Sequence, residues 1–599
     1  MLHKFHIPVL GLGFSIDTPL KVAKYGISSV VSIVDDELIE RMRAYHCAKA
    51  GEPYMPITKK ETDSRSRRIT SYLNLLDRMV DQQFNALRQL PFTPGNELCK
   101  YFELLPDHST LKHGYELMME YPEGERKRIF QQLLRQHMER GAIDVNIMSK
   151  VDRINPAYLS NYAENERSEA LTALRGFAES TLRSSLTLSA GMNPRLYSYI
   201  ARFDDFFPDE QQQLRKKIIL KVSDFRSAFV QAKFLAKKGL WVSEFRVESG
   251  LNCGGHAFAT EGYLLGPILD EFKRSRAGMK AELFSLYTAA LAERGVKGLA
   301  CPEQKLSVQG GIGTAAEHTF LIKQYQLDST GWGSPFLLVP EVTNVDPDTV
   351  QQLATSGVDD FYLSNASPLG IPFNNFRKSS MEEERLMRIR QGKPGSPCTK
   401  KYLCSNTEFT KTPICTASRK YQMHKIKVLN ARHPAPADYE QQLQAITEKI
   451  CLCEGLCTSA YIRTGLLKPK ESKAVAICPG PNLAYFEAVY TLPQMVAHIY
   501  GRVNLLEKIN RPHVFMKELD LYVDYLYAEM STLLLNFTEK KQIQLNRFKN
   551  QLLEGINYYR QLISEFNYTA MFGDERSDEM LGLAESKLSV LFHNENEYS

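Results

Sequence analysis

Three glycine-rich stretches hold the residue types best suited to chemistry. The first is Gln309-Gly310-Gly311-Ile312-Gly313-Thr314, which opens onto a predicted helix near Ala315. The second is Gly331-Trp332-Gly333-Ser334-Pro335-Phe336. Glycine lets the backbone approach an anion closely, and N–H groups at a helix start carry the partial positive charge that favours one. Two such loops together point to phosphate binding. The third stretch is Glu248-Ser249-Gly250-Leu251-Asn252-Cys253-Gly254-Gly255-His256. Its paired glycines leave room for a flat ligand against the backbone, and His256 is a candidate general base beside it. Cys253 invites a nucleophile role, but residues three apart on one loop seldom align for proton transfer. A small packing residue is the better expectation.

A second cluster is made of sulfur. Seven of the 11 cysteines lie between Cys398 and Cys478, and Cys451, Cys453, Cys457 and Cys478 are candidate ligands for Zn²⁺ or an iron–sulfur cluster. No C-x-x-C pair is present, so structural cysteines in a compact region are the stronger expectation.

These residues need elements to position them. Short runs rich in β-branched or apolar residues predict strands at 6–11, 28–34, 142–148, 185–189, 217–222, 240–247, 305–309 and 336–339, separated by helical or loop-rich stretches. Eight strands alternating with helices favour a parallel (β/α)8 TIM barrel, in which chemistry sits at the C-terminal strand ends and phosphate beside the last two loops. The alternation is interrupted at 64–140 by charged sequence of helical period, a helical insertion. The expected division is 1–63 and 141–378 for the barrel, 379–481 for a Cys-rich region of little clear period, and 482–599 for a C-terminal helical region. Within this last part, 482–566 should form a helical hairpin, and the chain ends in a polar tail, HNENEYS.

Composition sets the outer limits. With 599 residues, 43% hydrophobic and 24% charged, the chain should bury a large core. A net charge of +5, with Lys and Arg interleaved with acids, gives no basic stripe for nucleic acid. No run approaches the ~18 apolar residues of a membrane span. An odd cysteine count without a secretory signal predicts a reducing cytoplasm.

The same stretches resemble the nitronate monooxygenase family, an FMN-dependent TIM barrel related to the FMN-dependent enoyl-ACP reductases. IPVLGLGFSIDTPLKVAKYG is similar to its first strand, glycine turn and helix; AIDVNIM to its third strand; VESGLNCGGHAF to its acidic-Ala-Gly-Gly-His motif. GGIGTAAEHTFL with GWGSPFLLVPE resembles the paired flavin-phosphate loops, and ASPLGIPFNNFR the segment that closes the barrel. The likeness spans 1 to about 378. It implies bound FMN lined by Gly11, Gly13, Asn146, Lys221, Gly254, Gly255, Gly310, Gly311, Gly313, Gly333 and Ser334, with His256 as catalytic base. Asn252-Cys253 stands where the family has its acidic-Ala pair, and Gly333-Ser334 where it usually has Gly-Thr.

Three functions follow as expectations. The first is an FMN-dependent oxidoreductase of the nitronate monooxygenase type, acting on a small molecule. The second is an FMN-dependent enoyl-thioester reductase of fatty-acid or polyketide synthesis. The third is an altered barrel that serves as a binding module, with its helical additions as protein-partner surfaces.

Overall fold

The computed structural model describes the chain except residues 1, 148–151, 153, 155–160, 164–165, 190, 258–260, 536–537, 567–575 and 591–599. Met148, the last residue of the expected third strand, and the expected polar tail therefore lie outside the described residues.

Eight parallel strands close into a barrel: β1 Phe5–Ile7, β2 Ser28–Ser32, β3 Ile143–Ile147, β4 Ser184–Leu188, β5 Lys216–Val222, β6 Val242–Glu248, β7 Lys305–Gln309 and β8 Ser329–Gly331. Each pairs with the next in chain order, and β1 closes on β8 through Phe5 opposite Thr330 and His6 opposite Gly331. This is the TIM barrel expected from the alternation, with two differences at its ends. β1 stops at Ile7, since Pro8 has no N–H for the ladder. The eighth strand is Ser329–Gly331 and not 336–339, which belongs largely to the 3-10 turn Ser334–Leu338. Three small residues make no apolar run, whereas the fully buried turn does, so hydrophobicity pointed to the wrong segment.

Alternation along each strand divides wall from lumen. On β6, Phe245 and Val247 join the apolar shell, while Glu244, Arg246 and Glu248 turn inward. The lumen is charged: Arg246 lies 2.8 Å from Glu244 and 3.7 Å from Asp144, and Ser307 Oγ donates to Glu244 at 2.5 Å. Burial pushes the Asp144 carboxyl up to about 6.

The helix Ser64–Gln89 opens the insertion and buries Ile69, Tyr72, Leu73, Leu76, Val80, Phe84 and Leu87. That spacing of three and four is the apolar stripe its sequence announced. It packs on the barrel helix Glu169–Ala178, where a Cβ at Gly176 would meet Ile69 at 2.8 Å. The Cys-rich stretch contains helices Arg419–Arg432, Pro436–Thr447 and Leu452–Thr464. The last is buried along almost all of Leu452 to Tyr461, so no polar face gives it a visible period. Helices Val514–Leu535 and Glu539–Phe566 pack on each other, and a third, Arg576–Val590, packs on both. One continuous apolar cluster runs from Phe5 in the barrel to Leu588 in that last helix.

Candidate active site

The C-terminal strand ends bring Asn146 of β3, Lys221 of β5, Glu248 of β6 and Gln309 of β7 to one rim. Lys221 Nζ is 2.8 Å from Glu248, whose other oxygen accepts from Gln309 Nε2 at 2.6 Å. A charged, hydrogen-bonded rim of this kind can orient a polar ligand over the barrel.

The loop after β6 is held from every side. Ser249 N–H donates to Gln309 O and its hydroxyl to Gly310 O. Gly250 N–H donates to Glu518 Oε1 at 2.7 Å. Asn252 sits in the left-handed region at φ 44°, a conformation Asn tolerates better than most residues. Its amide oxygen accepts from Gly254 N–H at 2.7 Å and from Asn374 Nδ2 at 3.0 Å, while its Nδ2 donates to His256 O at 3.1 Å. A carboxylate here would accept the first two bonds but lose the third, a physical reason for amide in place of acid.

Beyond the barrel, β9 Phe361–Ser364 and β10 Phe373–Phe376 form an antiparallel pair that flanks His256. His256 is half-buried, with its ring edge on Phe373 and Nε2 2.6 Å from Ser367 Oγ. Ser367 Oγ also accepts from Leu369 N–H at 3.2 Å. Gly254 meets the chain itself: a Cβ there would fall 2.2 Å from Cys478 O, which accepts from Gly255 N–H at 3.0 Å.

The two phosphate-type loops lie side by side. A Cβ at Gly333 would lie 2.7 Å from Cys253 Cβ, and Gly310 N–H is directed at the Cys253 thiol. Burial pushes that thiol up, so Cys253 is a packing residue between the loops. Gly313 N–H donates to Glu317, the N3 residue of a capping box on the helix Ala315–Gln324. Arg511 pairs with Glu317 at 2.6 Å and donates to Gly311 O and Asn482 Oδ1. Burial alone would raise the Glu317 carboxyl, but Arg511 and His513 hold it below its ordinary value. Ser334 Oγ accepts from Gly480 N–H at 2.7 Å and donates to Cys253 O. Four buried N–H groups remain, those of Gly311, Ile312, Gly333 and Ser334. None finds an acceptor among the described residues. Buried, unpaired N–H groups are rare, and four at two adjoining loops could receive an acceptor such as an anion.

The β1 loop is engaged by its own chain. A Cβ at Gly11 would meet the Phe14 ring, and Gly13 N–H donates to Leu456 O at 3.2 Å on the helix Leu452–Thr464. Of the four cysteines considered as metal ligands, Cys457 Sγ donates to Asp35 at 3.3 Å and Cys478 lies against the β6 loop. Burial pushes the thiols of Cys451, Cys453, Cys457 and Cys478 up. Among the described residues no group of three or more His, Cys, Asp or Glu is placed to hold a metal ion. No helix among them is long and apolar enough to cross a membrane.

Sequence reasoning missed Ser367, Asn374, Glu317, Asn482, Arg511 and Glu518. Thr314 followed three residues on by Glu317 was a readable capping signal. Nothing local marked Arg511 or Glu518, which reach the site from the C-terminal third.

No family model matches the sequence, and no curated protein does. Among solved structures the chain is similar to FabK from Thermotoga maritima, with 14% identity over 64% of this chain and 80% of that one, TM-score 0.31. It is similar also to the enoyl reductase domain of MlnA from the macrolactin biosynthesis cluster of Bacillus amyloliquefaciens, with 14% identity, coverage of 74% and 88%, and TM-score 0.31. A third is nitroalkane oxidase from Streptomyces ansochromogenes, with 9% identity, coverage of 84% and 95%, and TM-score 0.32.

Proposed function

We propose that the chain is an FMN-dependent oxidoreductase of the nitronate monooxygenase type, with His256 as its base. Support comes chiefly from the four N–H groups of the buried Gly311, Ile312, Gly333 and Ser334, unpaired among the described residues, which would suit the FMN phosphate. Asn146, Lys221, Gln309 and Gly255 at the rim would face the flavin ring. Bound FMN would supply the redox chemistry, taking electrons from the substrate.

The protein's own residues handle the proton. His256 takes it from the carbon beside a nitro group. Ser367 Oγ, anchored by Leu369 N–H, bonds Nε2 and so fixes the plane of the imidazole. Ser367 is thus a positioning residue, and the Phe373 ring restricts the imidazole on its other side.

Purified protein should show the visible absorbance of oxidised flavin, or gain it on addition of FMN. Colourless protein that rejects FMN overturns the proposal. Oxygen consumption with a nitroalkane, whose carbon still carries the proton, supports the finer activity. NAD(P)H oxidation that depends on an enoyl thioester would replace it with the reductase.

A further inference from the structure

Three thiols meet in the wall of a cavity of about 1050 Å³ formed by the Cys-rich stretch: those of Cys398, Cys404 and Cys415. Cys398 is the middle one. Its Sγ lies 3.7 Å from Cys404 Sγ, in van der Waals contact, and it bonds Cys415 on its other side. The contact has a backbone cause. Ser396 N–H donates to Ala417 O and Arg419 N–H to Ser396 O, both at 3.0 Å. These bonds draw the segment before Cys398 against the one after Cys415. Asn406 and Ile414 exchange N–H···O bonds of 3.1 and 2.8 Å, which brings the segment after Cys404 to the same place.

Between Cys398 and Cys404 the chain is fastened to the barrel. Lys400 pairs with Asp35 at 2.5 Å, and Tyr402 Oη lies 3.2 Å from Asp35 and 3.1 Å from Asp36, two acids that follow β2. Closing a loop is costly when its residues are free to wander. Here the five residues between the two cysteines are already held, so a bond of about 2.05 Å between the sulfurs needs mainly side-chain rotation.

The thiols differ in access. Cys404 and Cys415 are buried and Cys398 is half-buried, so a reagent entering the cavity meets Cys398 first. The bond from Cys404 draws the Cys398 thiol down, but the bond to Cys415 and burial outweigh it and hold the thiol at about 11, above its ordinary 9. A thiol of that kind exchanges slowly at neutral pH, so equilibrium and not rate is the quantity to measure.

We propose that Cys398 and Cys404 are a reversible dithiol–disulfide site that exchanges with low-molecular-weight disulfides. The Cys398 sulfur attacks one sulfur of the small disulfide, whose S–S bond breaks and releases one small thiol. The Cys404 sulfur then attacks the Cys398 sulfur of the mixed disulfide and releases the second. The two cysteine protons end on the two small thiols; the protein pair loses two electrons and the small disulfide gains them. The closed bond would fix the loop that carries Lys400 and Tyr402 against the barrel mouth. This site is independent of the flavin proposal.

The test uses full-length protein, reduced and then equilibrated under argon with mixtures of glutathione and glutathione disulfide. Samples are quenched in acid, alkylated and mapped by mass spectrometry. Cys398–Cys404 should be the main internal disulfide, and dithiothreitol should reverse it. In Cys404→Ser, Cys398 should stop at the glutathione mixed disulfide and need at least tenfold more glutathione disulfide for half modification. The exposed Cys301 should take up glutathione alike in both proteins, which reports that exchange has run. The wild-type map needs no variant, and it decides alone if Cys404→Ser fails to fold. Cys398 left reduced where Cys301 is modified, Cys398 joined chiefly to Cys415, or equal titration of Cys398 in the two proteins overturns the pair.

Discussion

The loop after β6 and the two loops after β7 and β8 use the same residue, glycine, to opposite ends. In the β6 loop Ser249, Gly250, Asn252 and Gly254 each close at least one hydrogen bond within the chain. In the other two, Gly311, Ile312, Gly333 and Ser334 keep four N–H groups without an acceptor among the described residues. A loop that closes its own hydrogen bonds fixes one geometry and can hold a base in place. A loop that leaves donors open is completed by something else. On the proposed function, the first loop would support the base and the other two would receive an anion.

The largest effect should come from removing the base that the rigid loop carries. His256→Ala should lower turnover roughly 10²–10⁴-fold while the flavin absorbance stays, as read by steady-state kinetics and a visible spectrum. Loss of flavin together with turnover would mean the two loop types are not separable. Next is the ion pair beneath the open loops. Arg511→Ala leaves the buried Glu317 carboxylate without its cationic partner and should cost about 3–5 kcal/mol in urea unfolding. An unchanged midpoint would show that the open loops need no such support.

The third prediction concerns Glu518, which accepts from Gly250 and Leu265 N–H at 2.7 Å each. Burial pushes its carboxyl up to about 7 from an ordinary 4.5. The native state then keeps a proton that the unfolded chain releases, so stability falls as pH rises from 4.5 to 7, by about 3 kcal/mol. Asp144, raised to about 6, adds in the same direction. Unfolding measured across that range should be flatter in Glu518→Gln, and an equal slope would remove Glu518 as the cause. The smallest effect is expected for Asn252→Asp, which restores the acid of the resembled family. It tolerates the left-handed backbone but loses the donor to His256 O, at about 1–2 kcal/mol. A more stable Asp variant would contradict the account of the amide.

The barrel was legible because strand and helix alternate and the wall residues are β-branched. Ser329–Gly331 escaped because three small residues have no pattern to read, and helix Leu452–Thr464 because it is buried all round. The glycine loops could be read from local sequence, as could His256. Their supports could not. Arg511 meets Glu317 across 194 residues, and no local rule links them. Ser367 lies in a segment singled out only for closing the barrel, and its hydroxyl gains meaning only once β9 and β10 bring it to Nε2.

The contact between Gly250 and Glu518 spans 268 positions of the chain. During synthesis the eight strands leave the ribosome well before the helix that steadies the β6 loop. A nascent barrel therefore waits with its mouth unfinished, and contacts of such long range form late and slowly. Competence arrives with the last third of the polypeptide, so a chain stalled or cut after the barrel would possess the strands of the site without its working shape.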